Sequence, residues 1–224
     1  MKRYTKIFAL AVAGLLTVAT YASAERIIGI TGTIAQIEAS GSETEGTEAD
    51  TSNRSASVDN QAEYASIYLE TVRDNGITLG IEIVPFSADV SDKVHSRTDT
   101  SQAGSGEGRS GTTVNTASAE VENFRTVYAE MPMGSRAYLR FGFSQIDVNT
   151  TENVVTNGGN YGNETLDGVN LGLGIKGESA GGLKLKASLQ YTDFEELSLK
   201  SSTNNSIKAD LDVTSFNLSI GKAF

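Results

Sequence analysis

The chain has 224 residues, a formal net charge of −10, two prolines, one histidine and no cysteine. The acidic balance excludes a nucleic-acid binder, since neutralising phosphates takes clustered Lys and Arg. The lack of cysteine excludes disulfides and thiolate metal sites.

In chain order, Lys2, Arg3 and Lys6 precede an apolar run from Ile7 to Ala19, closed by Ala22-Ser23-Ala24. A basic start, a short apolar middle and a small-residue end read as a cleaved secretory signal peptide over residues 1–24. The apolar run falls short of the about 20 residues a spanning helix needs. Losing those three bases takes the formal charge from −10 to −13, and residues 25–224 are expected to form one domain. Nothing in that remainder could span a bilayer as a helix, so any membrane crossing must be a closed barrel.

Period-two alternation dominates this domain. Ile28 to Ala39 alternates as far as Ile34 and then loses parity, and Tyr64 to Arg73 is apolar on both faces near Ile67, Tyr68 and Leu69. Ile77, Leu79, Ile81 and Ile83 oppose Thr78, Gly80 and Glu82. Glu120 to Glu130 is read with Phe124 and Tyr128 outward and Asn123 and Arg125 inward. Leu139, Phe141 and Phe143 then oppose Tyr138, Arg140, Gly142 and Ser144. Val169, Leu171, Leu173 and Ile175 oppose Asn170, Gly172, Gly174 and Lys176, and Leu183 to Tyr191 alternates against Lys184 to Thr192. The last strand sets Phe216, Leu218 and Ile220 against Asn217, Ser219 and Gly221; a parity slip between Val213 and Phe216 is read as a β-bulge. These patterns predict eight strands near 28–38, 64–73, 77–86, 120–130, 137–147, 168–176, 183–194 and 209–224.

Asp74-Asn75-Gly76, residues 131–135 and residues 177–182 are short connections, the first with the Asn-Gly pair that tight hairpins favour. Those near 40–62, 87–119, 149–166 and 195–207 are long and rich in Ser, Thr, Asn and Gly. Short and long alternate without exception. That order predicts an all-β, up-and-down antiparallel transmembrane barrel with short periplasmic turns and long extracellular loops. Alternation does not reveal which face is inside; a polar face of Gly, Ser, Thr and Asn with few charges favours a lumen. Residues 87–119 are expected to be a mobile loop.

The chain resembles the small outer-membrane barrels of the OmpA, OmpX and opacity-protein kind, over essentially the whole of residues 25–224. The sharpest match is the ending, where Phe216, Leu218, Ile220 and Phe224 resemble the signal read by the barrel-insertion machinery. Lys222 stands where an apolar or aromatic residue is usual in that family. The resemblance implies the bacterial outer membrane, with its lipid and lipopolysaccharide as partners. With no Trp, an aromatic girdle would come from Tyr64, Phe86, Tyr128, Tyr138, Tyr191, Phe194 and Phe224.

Glu70, Glu82, Arg125, Arg140, Lys184 and Lys186 are placed on the inner face as a charge network, since eight strands leave an interior that side chains can fill. Strand-end acids such as Asp210 or Asp212 are expected to balance the excess of bases. His95 lies in a long connection, so no catalytic residue is assigned, and no cofactor or metal is expected. Gly104 to Gly111 lacks the GKS or GKT ending of a phosphate loop. The acids Glu43, Glu45, Glu48, Asp50 and Asp59 read as a solvated acidic loop. Three functions remain open: a non-enzymatic, monomeric structural or surface-interaction barrel, a small porin-like channel, and a lipid-modifying enzyme. The first needs no site beyond those named and is the expectation.

Overall fold

The computed structural model describes residues 25–44, 53–86, 88–89, 95–100, 112–153, 161–201 and 206–224. The expected signal peptide and the glycine-rich run at 104–111 lie outside them. Eight strands form the wall: β1 Glu25–Thr44, β2 Asn53–Val72, β3 Thr78–Ile83 and β4 Thr112–Met133, then β5 Ala137–Asn153, β6 Glu164–Glu178, β7 Leu183–Phe194 and β8 Ser206–Ala223. Each pairs antiparallel with the next, and β8 returns to β1 from Ile27↔Ala223 to Thr44↔Ser206, which closes the barrel. Where all eight strands pair, below the last β2–β3 rung at Ile67↔Ile83, closure removes both sheet edges and satisfies the backbone polar groups within the wall.

The three short connections each carry one glycine in the left-handed region: Gly76 at φ 81°, Gly134 at 74° and Gly182 at 76°. Only glycine adopts these angles without Cβ strain. At the first of them Arg73 donates to Ile77 and Gly76 donates to Arg73, at 2.9 and 2.8 Å. Both ends of the wall lie here too, with the Phe224 amide donating to the Arg26 carbonyl at 3.0 Å.

The strands outrun the expected ones. β1 and β2 have 20 residues and β4 has 22, whereas a tilted strand crosses a bilayer in about 9–11. Much of the connections expected near 40–62 and 149–166 is therefore strand. Ala88–Asp89 and His95–Thr100 pair with β4, and Leu197–Lys200 pairs with β8. His95, expected in a loop, thus lies in a strand opposite Ala117. Ser, Thr and Asn show no apolar alternation, but each still supplies the backbone donor and acceptor that a ladder uses.

The strands that extend beyond the short β3 exchange their faces at one level. Below it the outer face is apolar, with Ile30 and Ile34 on β1, Phe141 and Phe143 on β5, Leu171 and Leu173 on β6, and Phe216 and Leu218 on β8 all exposed. The inner face there carries Thr31, Thr33, Ser66, Ser144, Asn170 and Asn217, all buried. Above it Gln36, Glu38, Gln145, Asp167, Asp193 and Asp212 take the outside. Ile37, Ile146, Val148, Leu166 and Phe194 turn inward, with Phe124, Leu211 and Val213 packed on that cluster. Hydrocarbon outside demands polar groups inside, and water outside demands the reverse. This exchange corrects two expectations. Parity is not lost after Ile34, and the β1–β8 ladder runs from Thr33↔Asn217 to Ile37↔Val213 without a shift, so there is no bulge at 213–216.

Candidate functional site, the charged lumen

The polar half of the lumen is built around Lys186 on β7. Its ammonium lies 2.8 Å from Glu130 Oε1 and also pairs with Glu70. The rings of Tyr68, Tyr128 and Tyr138 surround it, with centroids 5.0, 5.8 and 5.7 Å away. Glu70 also accepts a hydrogen bond from the Tyr128 hydroxyl at 2.6 Å. Beside this group, Arg140 on β5 reaches Glu82 on β3 at 2.6 Å and lies 3.6 Å from the Tyr128 ring centroid. Arg140 Nε donates to Asn170 at 3.2 Å, and the Ser66 hydroxyl donates to Glu82 at 2.5 Å.

The charges are almost out of solvent, with Glu70 2% exposed and Glu130 1%. Burying a carboxylate is costly unless it is paired and hydrogen-bonded, and these meet both conditions. Tyr68 Oη is the one buried side-chain polar atom among the described residues without a partner.

Glycine makes room for the aromatic collar. A Cβ on Gly174 would stand 2.4 Å from Tyr138 Cζ, one on Gly80 2.3 Å from Tyr128 Cζ, and one on Gly221 2.3 Å from the Tyr68 hydroxyl. The tyrosine rings therefore lie against bare backbone, the close approach that strand glycines permit.

Of the six charged residues read from the sequence, the structure brings Glu70, Glu82, Arg140 and Lys186 together. Lys184 sits at the turn end, 2.8 Å from both Glu25 and Glu178. Arg125 is on the outer face above the exchange level, bonded to Gln145 and 3.9 Å from Asp147. It is outside because β4 has the opposite parity to the expected one, with Thr126, Tyr128 and Glu130 buried in the lumen. Glu130 is the acid that sequence reasoning missed. Asp212 accepts from the Tyr191 hydroxyl on the outer face at 2.7 Å, and Asp210 lies on that face, so neither balances the lumen bases.

The girdle needs the same correction. Tyr128, Tyr138 and Phe194 are buried inside, and Tyr64 packs edge-on against the inward Phe124 at 6.0 Å, leaving Phe86, Tyr191 and Phe224 exposed. Phe216, Leu218, Ile220 and Phe224 form one exposed row on β8 and the residue after it. Glu43 and Asp59 fall on β1 and β2, where Glu43 accepts from Tyr161 at 3.0 Å; Glu45, Glu48 and Asp50 lie outside the described residues.

A closed barrel with an apolar outer band and a charged lumen is the architecture of a small outer-membrane barrel, and the bacterial outer membrane is its place. No family model matches the chain, and no curated protein does. Among solved structures it is similar to Ail, the attachment invasion locus protein of Yersinia pestis, at 10% identity and TM-score 0.44 over 89% of this chain and 99% of that one. It is similar to OprG of Pseudomonas aeruginosa at 12% identity and TM-score 0.47, over 89% and 96%. It is also similar to the Escherichia coli outer membrane protease OmpT at 9% identity and TM-score 0.40, over 89% and 97%. Scores this low carry no function across to the chain.

Proposed function

We propose that the chain is a non-enzymatic surface protein, sealed to solutes in its lower half, which acts through the hairpins that rise above the bilayer. The observation that carries this reading is the lumen network. Glu70, Glu130 and Lys186 meet near the barrel axis, Arg140 pairs with Glu82, and three tyrosine rings fill the space between. An eight-stranded lumen is barely wider than its side chains, so paired charges at its centre leave no continuous water path. The long strands support the other half of the proposal, because β1, β2, β4 and β5 carry polar wall well beyond the lipid-facing band.

On this reading the partners are outer-membrane lipid and lipopolysaccharide around the band, and whatever the hairpins meet outside. The barrel works as a monomer, and the Phe216, Leu218, Ile220 and Phe224 row is what the insertion machinery reads. The test is single-channel recording in a planar bilayer. The purified protein is expected to give no steady conductance. Regular, ion-selective steps would replace this reading with that of a small channel.

A further inference from the structure

Charge is divided along the barrel axis. At the turn end the side chains of Arg26, Arg73, Arg136, Lys176, Lys184 and Lys222 are balanced only by Glu25, Asp74 and Glu178. Glu25 and Glu178 are both engaged by Lys184. Among the described residues Arg136, Lys176 and Lys222 make no ion pair. The far end has the opposite sign, with Asp59, Glu38, Asp212 and Asp193 in one row across β2, β1, β8 and β7.

Two of the unpaired bases are neighbours. The Lys176 amide donates to the Arg136 carbonyl at 2.7 Å, next to the rung Ala137↔Ile175. Like charges opposite each other on adjoining strands destabilise the pair, so this position favours a bound anion. A recess of about 920 Å³ opens beside them, lined by Ser135, Arg136 and Lys176 and by the outer rows Ile175, Ala187, Leu218 and Gly177, Leu185, Ile220. No described residue of β1 to β4 lines it, so it lies on the lipid face and not in the narrow lumen. Its small residues are Gly177 and Ala187, and a Cβ at Gly177 would meet nothing within 4 Å. Lys222 follows Ile220 on the same face and is exposed at the rim, a base within an otherwise apolar row that runs on to Phe224.

We propose that this recess holds one anionic phospholipid of the periplasmic leaflet, its phosphate at Arg136 and Lys176 and a tail along Ala187 and Gly177. The arginine fork matches the oxygens of a phosphate, and basic pockets at a membrane surface take anionic headgroups. Two unpaired bases repel an ethanolamine ammonium, so the site selects a headgroup such as glycerol, which brings no positive charge. Lys222 adds to the attraction from the other side of the recess. The site rests on contact between the outer band and lipid, as the proposed function does, and not on a sealed lumen.

The experiment uses the full barrel in phosphatidylcholine nanodiscs with labelled alanine and leucine methyls. A trace of tail-spin-labelled phosphatidylglycerol or phosphatidylethanolamine is included. Phosphatidylglycerol is expected to broaden the Ala187 methyl about fivefold more strongly than phosphatidylethanolamine, while both broaden Leu69, on β2, alike. Equal broadening at Ala187 with normal broadening at Leu69 overturns the site alone. No broadening at either methyl overturns the lipid-facing band with it. Arg136→Gln combined with Lys176→Gln should abolish the preference, and Gly177→Leu should weaken contact at Ala187 with both lipids, in each case with heat-modifiable gel migration retained. Lys200→Gln, which removes a base from the far end, should leave the preference as it is. A preference that survives the double variant, or that Lys200→Gln removes, overturns the site. Saturable displacement of the labelled lipid by glycerol 3-phosphate overturns it too, assigning the bases to a soluble anion.

Discussion

Lys186 on β7 and Glu130 on β4 meet 2.8 Å apart, although β4 and β7 are not neighbours in the sheet. The pair spans the lumen instead of reinforcing a ladder, and with Glu70 it ties three strands across the barrel axis. Removing the base leaves two buried carboxylates facing each other. Lys186→Met is therefore expected to cost about 3–5 kcal/mol, the usual penalty for breaking a buried pair from one side. Urea unfolding in lipid vesicles measures it. Replacing all three charges together, as Lys186→Met with Glu70→Gln and Glu130→Gln, should recover much of the loss.

The tyrosine collar makes a sharper prediction about glycine. Gly174→Ala would push a methyl into the Tyr138 ring, whereas Gly32→Ala meets nothing within 4 Å. The first should cost about 1–3 kcal/mol, as overpacking does. The second should be near neutral. Equal unfolding midpoints for the two variants would mean that the rings do not lie where described.

The outer face gives a third comparison. Leu171→Arg, in the apolar band, should cost about 2–4 kcal/mol in a bilayer, while Gln36→Arg, past the exchange level, should cost about 0–1 kcal/mol. The same vesicle unfolding experiment reads both. A similar cost at the two sites would deny that the bilayer ends between them.

Much of the lower barrel was legible in the sequence because its alternation is the plain apolar-out pattern. Leu139, Phe141, Leu171, Leu173, Leu185 and Leu189 face out, with Arg140 and Lys186 on the inner face. The upper barrel was not legible, because alternation continues there with its meaning reversed. Ile34 followed by Ala35 and Ile37 looks like lost parity, and Val213 against Phe216 looks like a bulge. Both are strands leaving lipid for water. Glu130 was missed for a related reason, since reading Phe124 and Tyr128 outward carries Glu130, which shares their parity, outward with them. Thr126, Tyr128 and Glu130 on one face, with Gly80 on the adjoining strand, were the available signal.

The measurement that bears most directly on the account is a spin-label scan of the outer face of β6, at residues 165, 167, 169, 171, 173 and 175. The chain contains no cysteine, so each introduced one reports a single site. With the protein in vesicles, labels at 169 to 175 are expected to be accessible to oxygen and shielded from a water-soluble nickel complex. Labels at 165 and 167 should show the opposite. A single regime along all six positions, or nickel access at 171 and 173, would contradict a barrel whose faces exchange where the bilayer ends.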